Sequence, residues 1–275
     1  MRKTAAVLGS PIGHSLSPLI HNYAYKKMGL DLEYIAVEVN EPEFKKWIRS
    51  ALTESNQWFG FSLTMPLKEV VCDKELSDVI NLDSEAIRIN SANTLYLRDG
   101  KWEGTSTDVS GFEYLLKQHD FHKVKIVGAG GTARAALSAI NRLSKIREIE
   151  IQVVRRNPQA DEKLSACIDN GMIKFIPWED FEFQAQEDLV ISTVPIQGAA
   201  DAASRFNGAR VLVDALYSPW PPPMTAKQMQ LKGHVISGRD LLCAQAIDQI
   251  SLMTGISFSK EEMFEELLGI LQKSN

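Results

Sequence analysis

Short apolar runs alternate with amphipathic stretches along most of the chain. The apolar runs predict strands at residues 5–9, 32–39, 58–63, 93–97, 124–127, 149–154, 173–176, 188–192 and 211–214. The amphipathic stretches predict helices over 18–28, from 42, after 68, over 132–143, and as a pair within 239–272. Strands that alternate with helices are typical of parallel sheets covered by helices, so the pattern predicts an α/β protein.

Local signals mark the ends of several elements. Ser17 followed by Pro18 is typical of a helix N-cap with proline at the first helical position. Asp99-Gly100 predicts a tight hairpin turn after the strand 93–97. Gly255 is expected to separate the two helices at the end of the chain.

Composition excludes several classes of protein. The chain has 275 residues, of which 44% are hydrophobic and 24% charged, values ordinary for a globular protein. Acidic residues outnumber basic ones by 35 to 30, for a formal charge of -5. A nucleic-acid binder is expected to show a basic surface, so we expect no nucleic-acid partner.

The cysteines and the lengths of the apolar runs indicate the cellular compartment of the protein. Three dispersed cysteines, Cys72, Cys167 and Cys243, favour reduced thiols over a disulfide framework. No apolar run reaches the ~18 residues of a membrane span, and the apolar start of the chain is too short for a signal peptide. We therefore predict a cytoplasmic protein without a membrane association.

A glycine-rich loop lies between a predicted strand and a predicted helix. Its spacing is that of the dinucleotide fingerprint G-x-G-x-x-G, with alanine at the last position, which the fingerprint admits. Glycine permits the tight turn and lets backbone N–H groups approach a pyrophosphate at the helix N-terminus. A tight turn without a ligand is the alternative. The predicted cofactor-binding residues are Gly128, Ala129, Gly130, Gly131, Thr132 and Ala133.

The end of the next strand predicts which dinucleotide binds. A carboxylate there would bind the ribose 2′-hydroxyl of NAD, whereas this chain has Arg155, Arg156 and Asn157. Guanidinium groups bind phosphate in a bidentate manner, so these residues favour the 2′-phosphate of NADP over a merely solvated turn.

A dehydrogenase also needs a group that stabilises the alkoxide formed from the carbonyl. The five histidines and three cysteines show no zinc-ligand spacing, so no metal is predicted and a side-chain acid is required. Lys68 follows a buried strand, and Asp108 opens the next helix. A lysine paired with a carboxylate stays charged and oriented, although each residue alone is more often a surface charge.

Six short segments resemble, in the same order, motifs of the shikimate dehydrogenase family, and the resemblance covers nearly the whole chain. These segments are residues 9–18, 64–68, 91–95, 107–108, 214–219 and 238–245. The resemblance makes Lys68 and Asp108 the catalytic pair and gives Ser15 and Ser17 the substrate carboxylate. The other implied substrate contacts are Ser62, Thr64, Asn93, Tyr217 and Gln245. Gly238 joins the implied cofactor-binding residues.

Several positions depart from the family pattern. Ser62 and Ser106 stand where asparagine is usual, Val109 where glycine is usual, and Ala160 where a basic residue is common. Serine at 62 and the Trp-Pro turn near residue 220 resemble the actinobacterial branch of the family. None of these departures removes Lys68 or Asp108.

The resemblance implies a fold of two α/β domains with the active site in the cleft between them. Residues 1–103 with 238–275 would form the substrate domain, and residues 104–237 an inserted NADP-binding Rossmann domain. The implied reaction is the reversible, NADPH-dependent reduction of 3-dehydroshikimate to shikimate in chorismate and aromatic amino acid biosynthesis.

Two alternatives differ from this interpretation. The first is a quinate/shikimate dehydrogenase that uses NAD, against which Arg155 and Arg156 speak. The second is a non-catalytic nucleotide- or metabolite-sensing paralogue, which loss of Lys68 or Asp108 would have favoured. The expected partner is a small-molecule substrate, and the expected state is a monomer or a homodimer.

Overall fold

The computed structural model describes residues 2–54, 57–144, 149–169, 172–183 and 187–273. The chain divides into two compact units, one comprising Met1–Ser110 with Leu242–Asn275 and the other Gly111–Leu241. The boundaries expected from sequence, after 103 and after 237, lie a few residues earlier.

The first unit contains a mixed six-stranded sheet in the order β2-β1-β3-β5-β6-β4. Its strands are β1 (Lys3–Gly9), β2 (Leu32–Glu38), β3 (Trp58–Leu63), β4 (Asn81–Leu82), β5 (Thr94–Arg98) and β6 (Lys101–Thr105). β1 runs parallel to β2 and β3, whereas β5 is antiparallel to both β3 and β6. Asp99 and Gly100, at φ 51° and 75°, make the predicted hairpin turn between β5 and β6.

Helices accompany this sheet in chain order. They are α1 (Ser17–Lys27), α2 (Glu41–Glu54), α3 (Leu67–Val70), α4 (Ser84–Ile89) and α5 (Thr107–Leu116). Side chains of α2, including Phe44 and Ile48, pack with Phe61 and Leu8 of the sheet in a buried core. Because β1 and β3 are parallel neighbours, the loops after both strands leave the same edge of the sheet.

The start of α1 corrects one expectation. Ser17 is the first residue of the helix, and the N-cap position is held by Leu16, which makes no side-chain cap. The hydroxyl of Ser15 instead accepts a hydrogen bond from the backbone N–H of Ser17 at 3.3 Å. The cap prediction for Ser17 was wrong because the serine two residues earlier supplies the acceptor.

The second unit contains a six-stranded, wholly parallel sheet in the order β12-β11-β10-β7-β8-β9. Its strands are β7 (Lys123–Val127), β8 (Glu150–Arg155), β9 (Ile173–Pro177), β10 (Leu189–Ser192), β11 (Val211–Asp214) and β12 (His234–Ile236). Numbered within the unit, this is the order 3-2-1-4-5-6 of dinucleotide-binding folds, whose strand order reverses beside β7. The α/β fold class predicted from sequence is confirmed.

The remaining helices are α6 (Gly131–Leu143), α7 (Asp161–Ser165), α8 (Ile196–Arg205), α9 (Pro223–Gln230), α10 (Gly238–Thr254) and α11 (Lys260–Lys273). Gly255, at φ 70°, separates the last two as predicted. α8 is missing from the sequence prediction because its buried face consists of glycine and alanines rather than large apolar residues. β12 has three residues, which is too short for a periodic pattern to be recognised.

Two kinds of feature are absent from the described residues. No helix among them is long and apolar enough to cross a membrane. No group of three or more His, Cys, Asp or Glu among them is placed to hold a metal ion.

Candidate active site

Lys68 and Asp108 form an ion pair in the first unit. Lys68 lies in the single turn of α3, and Asp108 lies in the first turn of α5. The Lys68 Nζ is 2.6 Å from Asp108 Oδ2, with side-chain exposures of 18% and 6%. The Asp108 side chain is therefore almost completely buried, whereas the Lys68 side chain remains partly accessible to solvent. Such a pair can present a charged, oriented proton donor at the surface of the unit.

Asn93, which directly precedes β5, holds the other oxygen of the same carboxylate. Its Nδ2 donates to Asp108 Oδ1 at 2.8 Å and to Gln245 Oε1 at 3.2 Å. Its Oδ1 accepts from the backbone N–H of Thr107 at 2.7 Å and from the hydroxyl of Thr94 at 2.9 Å. Both amide hydrogens and the amide oxygen of Asn93 are thus used within the protein, which fixes the orientation of Asp108.

A chain of buried hydrogen bonds continues from Asn93 into the sheet. Gln249 Nε2 donates to the carbonyl oxygen of Asn93 at 3.2 Å and to the hydroxyl of Thr94 at 3.1 Å. Its Oε1 accepts from the hydroxyl of Ser62 at 2.8 Å, and Ser62 accepts from the hydroxyl of Tyr34 at 2.5 Å. A carbonyl can only accept, so the amide of Gln249 has one orientation, with Nε2 toward Asn93 and Thr94 and Oε1 toward Ser62.

His21 completes this network on the side of α1. Its ring is stacked on Tyr34 with centroids 3.9 Å apart, and its Nε2 lies 3.3 Å from Gln249 Oε1. Burial lowers the pKa of His21 to about 3, against a smaller opposing effect of the Gln249 hydrogen bond. The ring is therefore neutral, with Nε2 donating to Gln249 and Nδ1 accepting from the hydroxyl of Tyr25 at 3.3 Å.

Sequence reasoning did not find three members of this network. Gln249, His21 and Tyr34 belong to no short motif, and each is a single residue in a regular element. One signal was present for Gln249, because it lies four residues after Gln245 and four-residue spacing places both on one helix face. Nothing comparable marks His21 or Tyr34.

The segment after β1 carries Ser15 and Ser17, which are predicted to bind the substrate carboxylate, and the loop after β3 carries the predicted substrate contact Thr64. Ser15 is half-buried and Ser17 is buried, and both lie between β1 and the body of α1. The backbone N–H of Thr64 donates to the carbonyl of Leu8 at 2.9 Å. A Cβ at Gly9 would lie 2.4 Å from the Thr64 methyl, so glycine permits this approach. The two segments are thereby packed together.

Two further predicted residues lie in the second unit. Tyr217 is half-buried and follows β11. Gly238 is the first residue of α10, and a Cβ there would lie 2.5 Å from the carbonyl oxygen of Leu216. The glycine is therefore required for a close backbone approach after β11.

The glycine loop of the second unit leads from β7 into α6. Gly128 has φ 119°, and a Cβ there would lie 2.2 Å from Thr193 Oγ1, so only glycine fits. Gly130 holds the N-cap position without any side-chain cap, and no atom lies within 4 Å of the place a Cβ would take. Ala133 is completely buried, as close helix–strand packing requires. The buried Arg134 supports the loop by donating to the carbonyl of Ala129 at 3.2 Å.

These features fit a dinucleotide. No acidic residue lies in the first turn of α6, so nothing in the helix start opposes an anion. A pyrophosphate would meet uncapped backbone N–H groups and the positive end of the helix dipole. The residues that would hold it are those of the loop from Gly128 to Ala133.

The three polar residues after β8 have different surroundings. Arg155 forms a bidentate pair with Asp161, with Nε and Nη2 at 2.8 and 3.0 Å from its two carboxylate oxygens. Asn157 caps the short 3₁₀ turn that follows, accepting from the backbone N–H of Gln159 at 3.0 Å. Arg156 is exposed and lies over the ring of Trp178, 4.5 Å from the centroid. No carboxylate of the described residues pairs with it.

A parallel sheet of this order, with an uncapped glycine loop beside its central strand, defines a dinucleotide-binding α/β protein. The family model described as shikimate dehydrogenase substrate binding domain matches residues 7–95. A curated shikimate dehydrogenase (NADP(+)) of Prochlorococcus marinus (strain MIT 9515) is 31% identical over 284 residues, covering 95% of each chain. The chain belongs to the shikimate dehydrogenase family, as its motifs predicted.

Further similarities agree with this membership. The curated shikimate dehydrogenase (NADP(+)) of Desulfitobacterium hafniense (strain Y51) is 30% identical over 261 residues, covering 90% of this chain and 91% of that protein. The crystal structure of Mycobacterium tuberculosis shikimate dehydrogenase matches with a TM-score of 0.82 and 31% identity, covering 97% of this chain and 99% of that one.

Proposed function

We propose that the protein is an NADP-dependent shikimate dehydrogenase, which reduces 3-dehydroshikimate to shikimate reversibly in the shikimate pathway to chorismate and the aromatic amino acids. The observation that carries the proposal is the Lys68–Asp108 pair with both carboxylate oxygens occupied, on Oδ2 by Lys68 and on Oδ1 by Asn93. The curated relatives that the chain resembles over nine-tenths of its length are named for the same activity and cofactor.

The proton chemistry belongs to Lys68. When bound, NADPH supplies the hydride. In the direction of reduction, Nζ of Lys68 gives a proton to the carbonyl oxygen as negative charge develops there, and in oxidation the neutral amine takes it back. Asp108 holds the ammonium in place at 2.6 Å and balances its charge. A positioned charge of this kind stabilises the forming alkoxide more than the neutral ketone, as catalysis requires.

Substrate contacts are proposed on the residues that the family motifs imply. Ser15 and Ser17 are assigned to the carboxylate of shikimate, with Thr64, Tyr217 and Gln245 as further contacts. Asn93 would contact substrate only by exchanging its bond to Gln245, so we infer that its main role is to hold Asp108. Ser62 is 4% exposed and bonded to two internal partners, so we infer that it acts through Gln249.

Cofactor contacts are proposed in the second unit. The loop Gly128, Ala129, Gly130, Gly131, Thr132 and Ala133 is assigned to the pyrophosphate, and Arg156 to the 2′-phosphate. Arg155 and Asn157 are engaged by Asp161 and by the 3₁₀ turn, so they support the shape of this edge. Three dispersed thiols and the proposed biosynthetic activity support a cytoplasmic enzyme. The acidic net charge of -5 supports the absence of a nucleic-acid partner, and the proposed state is a monomer or a homodimer.

A steady-state assay of the purified protein tests the function. Shikimate and quinate are each oxidised with NADP and with NAD, and the reduced nicotinamide is followed by absorbance. We expect the highest kcat/KM for shikimate with NADP. Higher kcat/KM for quinate with NAD would favour the quinate dehydrogenase alternative, and absence of turnover in all four arms would favour the sensing paralogue.

A further inference from the structure

We propose that Trp178 strengthens the preference for NADP as a positioning residue, because its indole face holds the guanidinium of Arg156 ready for the 2′-phosphate. The inference rests on the proposed function and extends it to a residue that lies outside the motifs after β8. It concerns only the carboxyl edge of the parallel sheet in the second unit, where ligands of such sheets bind.

The two residues meet because they leave neighbouring strands. Arg155 at the end of β8 is in register with Pro177 at the end of β9. The backbone N–H of Trp178 donates to the carbonyl of Arg155 at 3.0 Å, which extends the pairing by one residue. The side chains of Arg156 and Trp178 therefore start side by side, and the guanidinium lies 4.5 Å from the indole centroid. Such a distance is that of a cation–π contact.

The indole itself is fixed from behind. Its Nε1 donates to Asp201 Oδ2 of α8 at 2.7 Å, and the ring is only 8% exposed. The carbonyl of Trp178 accepts from Arg205 at 3.0 Å, and Phe181 packs against the ring with centroids 5.1 Å apart. An indole that is bonded at Nε1 and packed against Phe181 is a rigid platform, so the arginine that rests on it loses little conformational freedom when a ligand binds.

Gly198 leaves the room that the guanidinium needs. A Cβ at this position of α8 would lie 2.9 Å from Nη2 of Arg156 and 3.6 Å from Cη2 of Trp178. The added methyl would displace the flexible end of Arg156 from the indole without meeting backbone. Glycine at 198 is therefore part of the same arrangement.

This arrangement makes Arg156 the discriminating cation. Arg155 is committed to Asp161, whereas Arg156 pairs with no carboxylate of the described residues. A planar guanidinium can bind a phosphate with two parallel hydrogen bonds. The 2′-hydroxyl of NAD carries no negative charge. The indole platform should therefore strengthen binding of NADP and leave binding of NAD unaffected.

Binding of nucleotide fragments to the full chain tests the proposal without turnover. Isothermal titration calorimetry measures the Kd of 2′,5′-ADP, which carries the 2′-phosphate, and of 5′-AMP, which lacks it. We expect Trp178→Leu to weaken 2′,5′-ADP about three- to tenfold, the range of a cation–π contact, and to leave 5′-AMP within about twofold. Trp178→Phe keeps an aromatic face and should retain most of the affinity.

Matched variants separate the platform from general packing. Phe175 lies under Arg155 at 5.9 Å as Trp178 lies under Arg156, so Phe175→Leu removes the equivalent ring on the same edge and should leave both fragments unchanged. Gly198→Ala should weaken 2′,5′-ADP alone. In an Arg156→Ala background, Trp178→Leu should have no further effect, because the group that it supports is gone.

Other outcomes would overturn the proposal. Equal losses for both fragments in Trp178→Leu would assign the ring to the adenine or to the fold, and no loss for either would leave it without a role. A change in Tm marks the fold, and Trp178→Phe and Gly198→Ala keep the test possible if Trp178→Leu unfolds. If the wild type binds 2′,5′-ADP no more tightly than 5′-AMP, the cofactor assignment itself fails, which differs from a failure of Trp178 alone.

Discussion

The two candidate sites differ in how far their polar groups are already bonded within the protein. Around Asp108 in the first unit, donors and acceptors are paired with one another through Asn93, Gln249 and Ser62. At the carboxyl edge of the second sheet, the start of α6 has no side-chain cap and Arg156 rests on an aromatic ring rather than on a carboxylate. Proton transfer needs groups oriented before the substrate arrives, whereas an anion site needs donors that the protein has not already used.

The largest effect on kcat is expected at the Lys68–Asp108 pair of the first unit. Lys68→Ala should lower kcat by about 10²–10⁴, the range of general acid–base catalysis, while KM for shikimate changes much less. Steady-state kinetics in both directions measures it. The exposed Lys101→Ala is the control and should behave as wild type. Retention of more than half the kcat in Lys68→Ala would remove the lysine from the mechanism.

Two adjacent arginines test the proposed cofactor site at the carboxyl edge of the second sheet. Arg156→Ala should raise KM for NADP about tenfold or more, since a charge-assisted contact contributes ~1.5–3 kcal/mol, and should leave KM for NAD unchanged. Arg155→Ala should change both values little, because Arg155 is bound to Asp161. Kinetics with both cofactors measures the ratio. An equal effect of the two substitutions would mean that pairing within the protein does not decide which arginine binds phosphate.

Substitutions in the buried network of Gln249, Ser62 and Tyr34 should lower kcat by smaller factors, which decrease with distance from Asp108 along the hydrogen bonds. Gln249→Leu should lower kcat about three- to tenfold, because the backbone carbonyl of Asn93 and the hydroxyl of Thr94 lose the donors that hold this segment, with Ser62→Ala weaker and Tyr34→Phe weakest. KM for NADP should stay constant in all three. kcat for shikimate is measured across pH, and Tm is measured for each variant. A residue with a merely structural role would lower Tm without reducing the kcat of the folded enzyme. Effects in the reverse order would contradict a chain of hydrogen bonds that ends at Asp108.

The smallest effect at neutral pH concerns His21. Its pKa is about 3 in the folded chain and ~6.5 when unfolded, so the unfolded state binds the proton first as the pH falls. Stability should therefore decrease below about pH 6.5, by at most ~1.4 kcal/mol per pH unit from this group, down to about pH 3. Urea unfolding of His21→Asn should give a flatter profile in this range. The exposed His14→Asn should keep the wild-type slope, and a parallel profile for His21→Asn would contradict the assignment.

Much of the fold was predictable because local signals agree with the tertiary arrangement. β3 and β11 have the predicted bounds, and the turn at Asp99-Gly100 and the break at Gly255 have the backbone angles that their residues favour. α8 was missed because its buried face consists of alanines and a glycine, which do not stand out as an apolar stripe of large side chains. The Ser17 cap was wrong because Ser15, two residues away, competes for the same role.

The sequence by itself determined the α/β class, the glycine loop and the family, and it predicted Lys68 and Asp108 as the catalytic residues, since each of these rests on a short motif whose residues are neighbours in the chain. Only the tertiary structure decided which polar groups are already paired. Ser62 reaches Gln249 across 187 positions of sequence, and Arg156 meets Trp178 because β8 and β9 are adjacent. A side chain's hydrogen bonds depend on what the fold places beside it, and single-residue partners such as Gln249, His21 and Trp178 leave no periodic trace in the sequence.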